Sequence, residues 1–255
     1  MKHEPTTSKQ KEIINLLNSF RFLNTNQIQK LMHHKLPTRI QAWLKDLKDK
    51  GYIGTHYSRQ TAENSQPAIY YLMPEARHVL EKGTNFDAKL FERVYKEGKR
   101  SEKFISHCQT LADIYLFFLA NKAKKDQLAF IPGSDLKDYD HFPNTHPDVY
   151  MAVKTDRNTK RYFLHLFDPY TPMFVLRDVV KAYLRYIEAG TWEDKTQSPH
   201  PTVLFVCPDQ TALKHVQYYT KAKLEKEYNT DLSLFLTTKQ IILTNGDASG
   251  IWQKV

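Results

Sequence analysis

The sequence predicts an α+β chain in two parts, a small helical module with a hairpin followed by an α/β domain on a mixed sheet. Three observations point there. At 255 residues the chain is longer than one small module needs. Helical periodicity dominates the first fifty residues, whereas short apolar runs separated by amphipathic stretches fill the C-terminal half. The net charge of +9 is also lopsided, because residues 1–100 hold 18 Lys/Arg against 10 Asp/Glu and the other 155 hold 19 against 18. A charge excess confined to one segment is the electrostatic footprint of a nucleic-acid-binding module.

Composition excludes several classes. With 41% hydrophobic and 13% aromatic residues the chain buries a core and is not disordered. No apolar run approaches the roughly 18 residues that span a bilayer, and MKHEPTTSKQKEI has no apolar segment of the secretory kind. The expectation is a soluble, cytoplasmic protein with no membrane partner and no small-molecule substrate. Cys108 and Cys207 sit in apolar patterns and read as buried thiols rather than a disulfide or zinc site. His33 and His34 are adjacent, and His141 and His146 lack partners at ligand spacing, so no metal or other cofactor is expected.

In residues 1–82 the first helix carries Ile13, Ile14, Leu17 and Phe20 at helical spacing, from about Ser8 to Ser19. Asn24-Thr25 offers a cap for a short second helix with Ile28 and Leu31. Pro37 opens a third, TRIQAWLKDLKDKG, which has Ile40, Trp43, Leu44 and Leu47 on one stripe and stops at Gly51. Tyr52-Ile53 and AIYYL then supply the strands of a hairpin around a polar stretch from Ser58 to Gln66. Three helices and a hairpin in this order define a winged helix-turn-helix.

The polar side of the third helix is the candidate DNA face. Thr38, Gln41, Lys45 and Lys48 lie together opposite the apolar stripe, with Arg39 beside them near the helix start. The second helix of such a motif enters the major groove, where Gln reads adenine, Arg reads guanine and Lys neutralises phosphate. A merely solvated face is the competing reading, and Asp46 and Asp49 weigh against deep insertion of the C-terminal half. The wing carries a single cation, Arg59, a slight pointer to contact with phosphate or the minor groove; other winged modules dock protein instead.

Residues 83–100 read as a helical connection. From 101 to 255 the order is a long helix (SEKFISHCQTLADIYLFFLANKAKK), three strands (128–132, 148–153, 161–167), a helix, a strand (202–207), a helix and a strand (232–238). On the long helix, His107 and Asp113 read as satisfied structural polar groups. Helices separating the later strands imply parallel neighbours. The order αβββαβ matches the restriction-endonuclease-like, PD-(D/E)XK-type core, although other α/β folds can share it.

The chain as a whole resembles the replication-relaxation proteins of plasmids and other mobile elements. The resemblance is carried by TSKQKEIINLLNSFRFLNTNQIQKLM, RIQAWLKDLKDKGYI, AIYYLMPEA, SHCQTLADIYLFFLA, HPDVYMAV, FLHLFDPYT with KAYLRY after it, VLFVCPDQTALKHV and a closing IWQKV. It implies a winged helix joined to a nuclease-like domain, with duplex DNA as partner. The implied role lies in replication or DNA-processing control, or in transcription regulation. Winged-helix readers often pair on two half-sites, so a homodimer is compatible with this class, although no coiled-coil signal supports one.

The nuclease-like part holds two candidate acids. Asp148 follows Pro147, and Asp168 closes the next strand. In an active enzyme of this fold such acids hold a hard cation that generates hydroxide and stabilises the phosphorane. The resemblance implies Glu-x-Asp, a polar turn and Thr on the second strand. Here Asp168 and Thr171 match, but Leu166 stands at the glutamate position, and no lysine follows two residues after an acid. By alternation His165 faces away from Leu166 and Asp168, so it is no substitute. The leading expectation is therefore a degenerate nuclease-like domain with vestigial Asp148 and Asp168. The alternative is a Mg2+-dependent nuclease or nicking enzyme using both. On the following helix Arg177, Lys181 and Arg185 form a basic row, read as a phosphate contact, as an ion pair from Lys181 to Asp168, or as a solvated face.

Overall fold

The computed structural model describes residues 5–57, 67–83, 86–136, 139–226, 232–248 and 250–255. The chain divides into two compact units, Met1–Leu116 and Phe117–Val255. The first unit thus takes in the connection at 83–100 and most of the long helix that follows.

The first unit opens with α1 (Ser8–Phe20), held at its start by a capping box in which Thr7 and Gln10 exchange side-chain and backbone hydrogen bonds. A two-residue strand β1 (Leu23–Asn24) follows, and Asn24 caps α2 (Thr25–Leu31) through a second capping box with Gln27. Helix α3 (Pro37–Asp49) begins on its proline, as expected, and its start has no side-chain cap. Gly51, at φ +77°, releases the chain from α3 into β2 (Ile53–His56), and β3 (Ile69–Leu72) returns antiparallel to it. The three strands lie in the order β1-β3-β2. Gly54 has a steric reason to lack a side chain, since a Cβ there would enter the Tyr71 ring. The proposed wing, including Arg59, lies outside the described residues.

The core of this unit joins Ile13, Ile14 and Leu17 of α1 to Ile28 of α2, Ile40, Leu44 and Leu47 of α3, and Leu72 of β3. Beyond β3 come a 3-10 turn (Pro74–Ala76), α4 (Arg77–Leu80), α5 (Ala88–Phe91), a longer 3-10 segment (Glu92–Lys99) and α6 (Glu102–Asn121). Two polar ties lock these pieces. Gln27 donates from its amide to the Gln109 carbonyl at 2.9 Å and to Asp113 Oδ1 at 2.8 Å, so Asp113 has the structural role expected of it. Arg21, at φ 68° just past α1, donates from Nε to Glu97 Oε1 at 2.9 Å, and the Glu97 side chain is only 2% exposed. The same guanidinium lies 4.4 Å over the Phe104 ring.

The second unit contains a six-stranded sheet in the order β4-β5-β6-β7-β8-β9: β4 (Gln127–Pro132), β5 (Val149–Lys154), β6 (Thr159–Leu166), β7 (Thr202–Cys207), β8 (Leu234–Thr238) and β9 (Gln253–Lys254). Strands β4, β5 and β6 are antiparallel neighbours, β6-β7 and β7-β8 are parallel, and β9 closes antiparallel on β8. Helices α7 (Met173–Glu188) and α9 (Gln210–Lys226) form the crossovers. The helix, three strands, helix and strand thus follow the expected αβββαβ order in a mixed sheet. The short α8 (Thr191–Thr196), α10 (Lys239–Thr244) and β9 have no counterpart in the sequence reading, being too short to show periodicity.

One sheet face packs Phe163 and Phe205 against Leu176, Val180 and Leu184 of α7 and Leu213 and Val216 of α9. Both cysteines are buried and free, and burial pushes each thiol up to about 12. Among the described residues no helix is long and apolar enough to cross a membrane.

The Arg21–Glu97 pair is nearly dehydrated, so deleting one partner strands the other charge. Glu97→Ala is expected to destabilise the first unit by about 3 kcal/mol, read from urea unfolding, with less effect for Glu97→Gln.

Candidate functional site

The two acids lie at one end of β5 and β6, each with a partner of its own. Strand β5 begins at Val149, opposite Leu164, while β6 continues alongside β7 to Leu166, opposite Val206. Phe167 donates its N–H to the Val206 carbonyl at 3.0 Å, so by alternation the Leu166 N–H points to the β5 side, where no strand residue remains to accept it. Asp148 fills that role, and its Oδ2 accepts the Leu166 N–H at 2.7 Å. Glycine sets this corner: Gly133 donates its N–H to the Asp148 carbonyl at 2.7 Å, and a Cβ there would run into the Pro147 carbonyl oxygen.

Asp168 follows the strand in a turn, with its own N–H donated to Thr171 Oγ1 at 3.2 Å and the Thr171 N–H donated back to its carbonyl at 2.9 Å. The Tyr170 hydroxyl is hydrogen-bonded to the Asp168 side chain; the phenol pKa is raised by desolvation and by that carboxylate. The pairing of Asp168 with Thr171 seen in the sequence is therefore a turn.

His165 takes the opposite face, as alternation requires. It is buried, its Nε2 lies 2.8 Å from the Tyr183 hydroxyl of α7, and its ring stacks on Phe167 at 5.9 Å. Burial lowers its pKa to about 4, against an opposing pull from the Asp148 charge. The Tyr183 phenol is pushed well above its ordinary value, chiefly by burial. His165 and Tyr183 are thus hydrogen-bonded inside the sheet-helix layer within range of the Asp148 charge, a connection that alternation alone does not disclose.

The glutamate position is Leu166, 4% exposed and apolar, and Asp148 is committed to the Leu166 backbone. Among the described residues no three His, Cys, Asp or Glu side chains converge as a metal-binding group would.

The basic row on α7 is partly engaged within its own unit. The Lys181 ammonium lies 3.3 Å from Asp178 on the same helix, rather than the Asp168 pairing considered from the sequence. Arg177 lies 5.9 Å over the Tyr219 ring, and Arg185 is exposed.

In the first unit, Thr38, Arg39, Gln41, Lys45 and Lys48 are all exposed along α3, while Ile40, Leu44 and Leu47 on the same helix are buried. Asp46 is drawn away from that face, since its carboxylate accepts from Gln10 of α1 and from Lys50 at 2.7 Å. Both hydrogen bonds hold its pKa below the usual carboxylate range, that from Lys50 most. Asp49 stays exposed, and the Lys48 ammonium stands 5.9 Å over the Tyr57 ring.

The architecture is that of an α+β chain with a helical, basic first unit and a second unit built on a six-stranded mixed sheet with crossover helices. The chain belongs to the replication-relaxation family, whose profile matches residues 14–200. No curated protein matches it. Two solved structures of the restriction endonuclease FokI are similar. The one bound to DNA has a TM-score of 0.33 at 12% identity, covering 93% of this chain and 44% of that one. The other has a TM-score of 0.34 at 13% identity, covering 93% and 43%. The chain thus spans less than half the length of either FokI chain.

Two measurements check this site. The Asp148 carboxylate closes a backbone gap, so Asp148→Ala is expected to lower stability by about 1–3 kcal/mol with or without divalent cation, read by thermal unfolding with and without Mg2+. A stability loss that appears only when Mg2+ is present would instead mark a metal ligand. His165 has a folded pKa near 4, below the unfolded value of 6.5. The unfolded state therefore takes up the proton first as pH falls, and the contribution present above pH 6.5 is lost progressively towards pH 4. The total is on the order of 3 kcal/mol. Unfolding free energies across that window should fall less steeply in His165→Phe than in the parent chain.

Proposed function

We propose that the chain is a duplex-DNA-binding protein of a plasmid or mobile element, acting in the control of replication or DNA processing or in transcription regulation. In this reading the first unit is a winged helix-turn-helix whose α3 enters the major groove. Arg39 and Gln41 contact base edges, and Thr38, Lys45 and Lys48 contact phosphate. Arg59 on the wing and the α7 row of Arg177, Lys181 and Arg185 are auxiliary phosphate contacts. The second unit is a nuclease-like domain without cleavage activity, serving assembly, and two copies bind as a homodimer on paired half-sites.

The observation that carries the reading is the division of α3 into a buried apolar stripe and an exposed basic and amide face, with Asp46 turned into an ion pair with Lys50. Nothing at Asp148 or Asp168 favours the nuclease alternative, because Leu166 replaces a metal-binding acid and its N–H engages Asp148.

Fragments selected from random duplex DNA, followed by mobility shifts at several salt concentrations, test it. Arg39→Ala with Lys45→Ala is expected to weaken binding at least roughly tenfold and to flatten the dependence of log affinity on log salt by about 1, for the one phosphate contact of Lys45. Unchanged binding in that double variant would remove α3 as the reader. Supercoiled plasmid incubated with the protein and Mg2+ or Mn2+ should stay intact; cleavage lost in Asp148→Ala would establish the alternative instead.

A further inference from the structure

The face of the second sheet that points away from α7 and α9 carries a cavity of about 590 Å³. That size falls within the roughly 300–1,000 Å³ of small-molecule sites. Its walls are aromatic: Tyr162 from β6, Phe235 from β8, Phe118 near the end of α6 and Trp252 just before β9. The Phe118 and Trp252 rings are inclined by only 23°, with centroids 6.2 Å apart. Register explains why these residues meet. Tyr162, Leu204 and Phe235 sit on the face opposite Phe163, Val203 and Leu234, which belong to the core beneath the crossover helices.

The rim is cationic. Lys160 lies two residues before Tyr162 on the same strand face and is exposed. Its neighbour Arg161 is engaged with the Tyr150 hydroxyl. Among the described residues lining the cavity, none is an aspartate or glutamate. His200 also lines it, with a side chain 15% exposed and neither ring nitrogen hydrogen-bonded. The nearest recorded carboxylate oxygen, on Glu193, is 4.0 Å from Nε2, beyond hydrogen-bond reach.

We propose that this cavity binds a nucleotide unit, with the base stacked on the aromatic walls and the phosphate held by Lys160. Stacking accepts any base, because every base presents a π-face, while the rim demands a negative charge. The ligand is either a free mononucleotide or an unpaired nucleotide of single-stranded DNA. The site lies in the second unit, so it stands or falls separately from duplex reading by α3.

Isothermal titration of the full chain with deoxyadenosine monophosphate, deoxyadenosine, inorganic phosphate and benzoate tests the assignment. The monophosphate is expected to bind at least tenfold more tightly than the other three, and Lys160→Ala and Trp252→Leu should each weaken it about tenfold. Lys160 is exposed, so its variant folds and keeps the test decisive if Trp252→Leu does not. A short oligothymidylate binding tighter than the monophosphate assigns the site to single-stranded DNA, and equal or weaker binding assigns it to the free nucleotide. Arg39→Ala with Lys45→Ala should leave these affinities unchanged. The proposal is overturned if no probe binds at millimolar concentration, if benzoate matches the monophosphate, or if Lys160→Ala binds as tightly as the parent chain.

Discussion

The second unit depends on a mismatch in length between two neighbouring strands. Strand β6 is antiparallel to β5 on one edge and parallel to β7 on the other, and it outruns β5 by the residues that pair with β7 alone. A backbone N–H left over in such a place, beside residues as buried as Leu166, destabilises the fold unless something accepts it. The Asp148 carboxylate is that acceptor. The same position, a Pro-Asp at the mouth of a hairpin, is where a metal-dependent nuclease places its first acid. In this chain the side chain completes the sheet, and its charge also acts on His165 and Tyr183 from behind.

The first unit solves a different problem, that of holding a short, cationic helix rigidly while leaving one side open. Ile40, Leu44 and Leu47 bury one stripe of α3 in a core shared with α1 and β3. Polar ties do the rest, from Gln10 to Asp46 across α1 and α3, from Gln27 to Asp113, and from Arg21 to Glu97. Each satisfies groups that would otherwise be unpaired inside a small module, where every apolar contact counts. The result is an outward row of Thr38, Gln41, Lys45 and Lys48 on a helix that cannot easily roll.

Much of this was legible in the residues. Capping signals at Asn24 and Pro37, the stop at Gly51, the strand alternation that turns His165 from Leu166, and the parallel β6-β7 and β7-β8 pairings all follow from local chemistry and period. The short elements β1, α8 and β9 have too few residues to show a period and escaped notice. So did tertiary pairings. Nothing in HPDVYMAV says that Asp148 reaches the backbone of a strand eighteen residues on, because that depends on where β5 stops relative to β6. The aromatic cavity is equally hidden: Phe118, Tyr162, Phe235 and Trp252 are spread over 135 positions and meet only through register.

The thiols of Cys108 and Cys207 add a practical property. Each is buried and holds its proton to about pH 12, so almost no thiolate is available near neutrality. Alkylating reagents and mild oxidants therefore find little to react with on the native chain. A single cysteine introduced on the exposed face of α3 or at the cavity rim would be the one site to take a fluorophore or spin label, with no native thiol to remove first.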